Sequence, residues 1–348
     1  MPSWGELNKE IASAAQAGDK LAIDTVRRKY LTALAAHTGR NVILYATKWT
    51  QPDSPPSQAT LLNEEDVEAF MEVVHGLKSK SVDLILHSPG GSAEATEAVV
   101  LYLRSKFDDI RVIVPQGAMS AATMLACSGD KIVLARHSFL GPIDPQMATG
   151  GTPAYASAQA ILDQFELAKT ECSEDANVAP WWPILSQYGP ALLIQCRNQL
   201  KLSRELVQRW LKAYPFKRHP RAGQEARSVA SALADHRRHM SHGRHLGRDE
   251  LRKIGGCGLV IEDLEKDQVF QDLVLSVFHS TMITFSATAA VKIVENNSGR
   301  AFIKLQMTMI GGPRLVPAQP VGPPPTPAPS PVPPPAAPTP VGPAPPKP

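Results

Sequence analysis

Between positions 4 and 34, apolar residues recur at helical spacing (Leu7, Ile11, Ala14, Ala15, then Leu21, Ile23, Val26), with charged residues between them. The pattern predicts two helices separated near Gly18-Asp19. Residues 41–46 (NVILYA) read as a strand and residues 52–57 as a Pro/Ser loop. Asn63 precedes Glu64, Glu65 and Asp66, the capping residue and acidic first turn of another helix. From there strands and helices alternate. Residues 82–87 (VDLILH) form a continuous apolar strand, Ser88-Pro89-Gly90-Gly91 a turn, and 93–105 a helix. Residues 110–114 form a second apolar strand, 119–128 a small-residue helix and 132–135 a third strand. Apolar strands alternating with helices imply crossover connections and a parallel sheet buried on both faces, an α/β fold. Beyond Gly141-Pro142-Ile143-Asp144-Pro145 strands thin out, and 155–170, 203–211, 224–234 and 268–285 read as helices. The expected organisation is N-terminal helices (1–40), an α/β core (41–200), a mainly helical C-terminal region (201–310) and a tail (311–348).

Composition changes this picture mainly at the C-terminus. More than half of the 32 prolines of this 348-residue chain fall in positions 313–348. A Pro/Ala/Gly segment cannot pack a core, so a disordered, extended tail is expected there. Its PxxP spacing suits a Pro-motif-binding partner or a spacer. The uncharged run 112–129 carries Pro115, Gln116, Gly117, Ser120, Thr123 and Ser128. It is too polar for a membrane span. The start, MPSWGELNKE, shows no secretory signal, and the four Cys (Cys127, Cys172, Cys196, Cys257) lack CxxC spacing. A cytoplasmic protein without a disulfide or zinc framework is expected. No GxGxxG dinucleotide fingerprint is present and no cofactor is expected. The net charge of +3 does not by itself imply nucleic acid. The stretch 212–253 is basic and holds half of the ten His, but no aromatic residue lies between Pro220 and Arg252 to stack on bases. It reads as a solvated basic linker. His236 and His239 would share a face of a helix and could share a metal, but Gly243 and Gly247 interrupt a helix there, so no metal site is expected. Trp181-Trp182-Pro183 reads as core or as a subunit contact.

Two turns carry candidate chemistry, each at the C-terminal end of an expected parallel strand, where α/β folds bind ligands. In His87-Ser88-Pro89-Gly90-Gly91-Ser92, paired glycines let backbone N–H groups converge on an anion. In Gln116-Gly117-Ala118-Met119-Ser120-Ala121, Ser120 opens a helix whose N-terminal dipole favours an oxyanion. Either turn alone is also what a plain turn or an N-cap looks like.

Taken together, LILHSPGGSAEATEAVVLYLR and IVPQGAMSAATMLACSGDKIVLARHSFLGPIDPQ resemble the serine dehydrogenase proteinase family. That family lies in the Clp protease/crotonase superfamily and is related to signal peptide peptidase A. The resemblance extends more weakly from RRKYLTALAAHTGRNVILY to KIVENNSGRAF and covers none of the tail. It implies a Clp protease/crotonase-like core of ββα repeats, a homo-oligomer, and hydrolysis of a peptide or protein substrate. It places Ser120 as nucleophile and Gly90, Gly91 and Ala121 at the oxyanion hole. The His of the Clp subunit has no counterpart in Phe139-Leu140-Gly141-Pro142, and the Lys of the signal peptide peptidases has none near 153–155. The family's chain order of Ser, Asp, His then implies Asp144 as the acid and His242 as the base, with His279 and Lys169 as alternative bases. Two other readings stay open: a non-catalytic scaffold of the same fold that binds peptides or proteins, and an acyl-CoA-handling enzyme.

Overall fold

The structure is a computed structural model that describes residues 3–54, 57–148 and 155–306. The expected Pro-rich tail therefore lies outside the described residues. Two helices, α1 (Trp4–Gln16) and α2 (Ala22–Thr38), precede strand β1 (Asn41–Thr47). Gly18, at φ +94°, makes the break expected between the helices. Then come α3 (Glu65–Val74), β2 (Ser81–His87), α4 (Ala93–Lys106), β3 (Asp109–Val114), the short β4 (Gly117–Ala118), α5 (Ala121–Cys127) and β5 (Lys131–Leu134). The chain continues through β6 (Phe139–Leu140), β7 (Gln146–Ala148), β8 (Tyr155–Ser157), α6 (Ala158–Glu171) and α7 (Val178–Leu185). Next are α8 (Leu192–Ala213), α9 (Ala222–Leu233), α10 (His236–His239), β9 (Leu246–Gly247) and α11 (Arg248–Leu251). It closes with β10 (Ile261–Asp263), α12 (Gln268–Ala287), β11 (Ala290–Asn296) and β12 (Ala301–Leu305).

Seven strands form the central sheet in the order β10-β5-β3-β2-β1-β11-β12. The first five run parallel, β11 pairs antiparallel to β1, and β12 pairs antiparallel to β11. Register aligns Ile43, Leu84, Val112, Ile132 and Ile261 across the parallel strands. Because strand side chains alternate between faces, Ile43, Leu84, Val112 and Ile132 pack with Phe70, Val99, Leu125, Trp210 and Val229 from α3, α4, α5, α8 and α9. Their neighbours Val42, Leu44, Ile85, Ile113 and Val133 face the other way, onto Leu31 and Leu34 of α2 and Phe270, Val274 and Phe278 of α12. Both faces of a mostly parallel sheet are thus buried, as expected for an α/β core with a helical C-terminal part.

Two features depart from the sequence reading. The helix expected at 203–211 begins at Leu192, because Cys196 and Leu200 pack on Ala158 and Ile161 of α6. Residues 290–305, for which no strand was expected, supply β11 and β12. Strand β11 carries Lys292, Glu295 and Asn296 fully buried, which breaks the apolar run that marks a buried strand.

Candidate active site

The C-terminal ends of β2 and β3 feed the two glycine-bearing turns, and the turns lie against each other. Ser88 N–H donates to Gly117 O at 3.2 Å and Met119 N–H to Ser88 O at 3.0 Å. Gly90, at φ +97°, sits where they touch. A Cβ there would lie 2.5 Å from Met119 O and 2.7 Å from Ser120 Cβ. Only glycine allows this approach. Gly91 is enclosed differently: a Cβ would lie 2.1 Å from Leu62 O. Leu62 brackets it, donating to Gly90 O at 2.7 Å and accepting from Ser92 N–H at 2.9 Å. Among the described residues, the N–H groups of Gly91 and Ala121 donate to no backbone carbonyl outside regular elements.

Ser120 precedes α5 at φ 51° and ψ −120°, a left-handed φ that only Met240 shares among the described non-glycine residues. Its hydroxyl does not cap the helix. A non-glycine residue held at positive φ stores on the order of 1–3 kcal/mol. Here the strain accompanies a hydroxyl that lines the cleft rather than bonding its own backbone. Thr123 braces the turn, donating to Ala118 O at 2.8 Å and accepting from Gly141 N–H at 3.0 Å.

The link to Gly141 carries the chain into Ile143-Asp144-Pro145. The Asp144 side chain is fully buried. Its Oδ1 accepts from His242 Nδ1 at 2.8 Å, and its Oδ2 from His236 Nδ1 at 3.0 Å and from Gln146 Nε2 at 3.1 Å. Burial pushes this carboxyl up, but the hydrogen bond and charge of His242, with the nearby Ser157 hydroxyl and the charge of His236, outweigh it and hold it below the ordinary carboxylate value. Since an ionised carboxylate only accepts, His242 carries a proton on Nδ1, and Nε2 is the ring nitrogen left for another partner.

His242 reaches Asp144 across 98 positions because its flanks are anchored. Met240, at φ 62°, ends α10 abruptly. On the other side Leu246 and Gly247 pair with Leu140 and Phe139, and the His245 ring stacks on Phe139 at 3.7 Å. The basic stretch is therefore no free linker here. Part of it delivers a histidine to the edge of the sheet.

Ser120, Gly91, Ala121 and His242 line one cleft of about 630 Å³. Its walls are largely apolar, including Met124, Ile143 and Met147, and among the described residues Glu94 is the one carboxylate lining it. The alternative bases lie elsewhere. Lys169 is paired with Glu166 at 2.8 Å on the exposed side of α6. His279 lies on α12 beside Trp4 and Phe278. The histidines weighed for a metal do not converge: His239 Nε2 bonds Ala232 O at 2.7 Å, whereas His236 turns to Asp144. His87, beneath the first turn, is pushed down to about 3 by burial and stays neutral. Sequence reasoning missed His236 as a second partner of Asp144, although its six-residue distance from His242 was visible. It also missed Leu62, whose role is carried by its backbone and leaves no residue-type signal.

Comparison with known proteins gives a family for this segment. Residues 60–177 match the model of a family described as ClpP-like SDH-type serine proteinase. Two uncharacterized proteins of Methanocaldococcus jannaschii are similar. One is 37% identical over 95 residues, 27% of this chain and 33% of the relative. The other is 36% identical over 108 residues, 31% of this chain and 36% of the relative. The matched stretch thus spans about a third of each relative. Among solved structures, a serine-to-alanine variant of the 1510-N membrane-bound stomatin-specific protease aligns with a TM-score of 0.37 and 14% identity, over 62% of this chain and 79% of that one. A lysine-to-alanine variant of that protease, in complex with a substrate peptide, aligns with a TM-score of 0.37 and 14% identity, over 61% and 74%. The family match encloses both turns, Ser120 and Asp144, and stops short of His242. Over residues 60–177 this chain is similar to the ClpP-like SDH-type serine proteinases.

Proposed function

We propose that this chain is a serine peptidase whose nucleophile is Ser120, whose general base is His242 and whose orienting acid is Asp144. The observation that carries this reading is the buried Asp144 bonded to Nδ1 of His242, in a cleft that Ser120 also lines. A hydroxyl attacks a carbonyl at neutral pH only when a base takes its proton. His242 Nε2 accepts that proton, Ser120 Oγ bonds to the carbonyl carbon, and the N–H groups of Gly91 and Ala121, beside Gly90, receive the oxyanion. The C–N bond then breaks as His242 returns the proton to the leaving amine, and water repeats the sequence on the acyl group. The apolar walls suit an apolar side chain beside the scissile bond, and Glu94 gives the rim a negative charge. We also expect a homo-oligomer, supported by the exposure of Val178, Trp182 and Ile184 on α7.

Labelling with a fluorophosphonate probe tests the reading. Wild type should label at Ser120. Ser120→Ala should not label at all, and His242→Ala should label at least ~1,000-fold more slowly, as expected when a member of a catalytic unit is removed. A folded wild-type protein that does not label would favour the non-catalytic scaffold.

A further inference from the structure

Of the side chains on the buried carboxylate, His236 and Gln146 have no part in the mechanism above. His236 Nδ1 lies 3.0 Å from Asp144 Oδ2, opposite His242, which lies 2.8 Å from Oδ1. The two imidazoles are 21% and 24% exposed, and the carboxylate between them is fully buried. Each ring lines a different cavity. His242 opens into the cleft that holds Ser120, and His236 into a separate cavity of about 250 Å³ with Gln159, Ser231 and Arg204. We propose that His236 is a positioning residue for the serine peptidase reading: it anchors Oδ2 so that Oδ1 presents its lone pair to His242, and it sets how strongly Asp144 supports a charged His242.

A carboxylate held at one oxygen can rotate about its Cβ–Cγ bond. Holding Oδ2 by His236 and Gln146 leaves Oδ1 one orientation, toward His242. His236 is itself fixed from both sides. Asp235 caps α10 by accepting from Arg238 N–H, and Arg237 pairs in bidentate fashion with Asp163 of α6. The charged groups around His236 are thus Asp144, Asp163, Asp235, Arg204, Arg237 and Arg238, with His242 across the carboxylate. Donation from His236 withdraws charge from Asp144 whether the ring is neutral or cationic. Removing it therefore concentrates negative charge on Oδ1 and favours the protonated form of His242. The acid limb of the pH–rate profile then moves to higher pH in either protonation state of His236. This inference rests on Ser120, Asp144 and His242 acting as proposed.

The test measures fluorophosphonate labelling rates of the full chain between about pH 5 and 9, the range in which an imidazole titrates, for wild type, His236→Ala and His236→Gln, with thermal melts alongside. His236→Ala should label roughly tenfold more slowly or worse, since a misplaced catalytic geometry costs up to about 100-fold. Its acid limb should rise by roughly half a unit or more. His236→Gln, which can still donate to Oδ2, should recover most of the rate and move the limb back toward wild type. If His236→Ala does not fold, His236→Phe keeps the ring volume without the donor and must show the same loss. Labelling at the wild-type rate with an unmoved limb in the donorless variant overturns the positioning role and leaves the peptidase reading intact. A folded wild type that never labels overturns both.

Discussion

The proposed chemistry of this molecule runs through the two carboxylate oxygen atoms of Asp144. Three donors converge on them, so its replacement by an amide has a definite consequence. An amide offers one acceptor oxygen and one NH₂. The Oδ2 position faces two donors, His236 Nδ1 and Gln146 Nε2, and will take the oxygen. The NH₂ then faces His242 Nδ1, which must give up its proton to accept, and the proton moves to Nε2, where it blocks the base. Asp144→Asn should therefore fold and lose about 10⁴ in labelling rate or kcat, the size expected of a wrong tautomer. It should also change the acid side of the stability curve. The folded-state pKa of Asp144 is depressed, so the carboxylate contributes stability above the unfolded carboxylate value and loses it as pH falls through the folded value. Melting temperatures below about pH 4 should fall less steeply in Asp144→Asn than in wild type. Unchanged labelling would mean that His242 does not depend on this carboxylate.

At the scale of elements, the site depends on strands that contribute no catalytic atom. Lys292 of β11 is fully buried, and its Nζ donates to Asp66 Oδ1 at 2.7 Å, to Asp66 Oδ2 at 2.8 Å and to Leu61 O at 3.0 Å. Tyr45 OH and Asn63 N–H complete the shell of Asp66. This cluster joins β1 and β11 of the sheet to α3 and to the segment whose Leu62 brackets Gly91. Burial pushes the Lys292 amine down, with Asp66 opposing that shift. Lys292→Met should cost about 3–5 kcal/mol by denaturant unfolding, because Asp66 is left buried without its cation. Lys292→Met with Asp66→Leu should recover at least half of that loss; a single variant costing less than about 1 kcal/mol would contradict a buried pair. The same residues explain what the sequence concealed. Strands β1, β2, β3 and β5 were legible because VDLILH and its counterparts are unbroken apolar runs at crossover spacing. Strand β11 was not, since Lys292, Glu295 and Asn296 break the run, and only their distant partners make burial tolerable. Glu295 bonds Arg27 and Arg28 at 2.6 Å, and Asn296 donates to Val73 O at 2.6 Å. Ser120 and the glycines were legible as a local motif. His236 was not, because its role exists only once positions 144 and 236 meet.

At the scale of the whole molecule, the chain divides into a unit spanning Met1–Met307 and a C-terminal segment from Thr308 onward. The cleft, its proposed oxyanion donors, Asp144 and both of its imidazoles lie between Leu61 and His242. The last strand of the sheet ends at Leu305. Among the described residues no helix is long and apolar enough to cross a membrane. The exposed side chains expected to support self-association, Val178, Trp182 and Ile184, also lie within the first unit. The Pro-rich segment is therefore expected to take no part in the proposed chemistry or assembly, and its PxxP spacing suits a Pro-binding partner or a spacer. A chain truncated after Gly312 should label at Ser120 within about twofold of the full-length rate and unfold at the same denaturant midpoint, within about 0.5 kcal/mol. In sedimentation it should form an assembly with the same number of subunits. Loss of labelling at an unchanged assembly size would place part of the tail in the active site. Loss of the assembly itself would make the tail, rather than α7, the element that joins subunits.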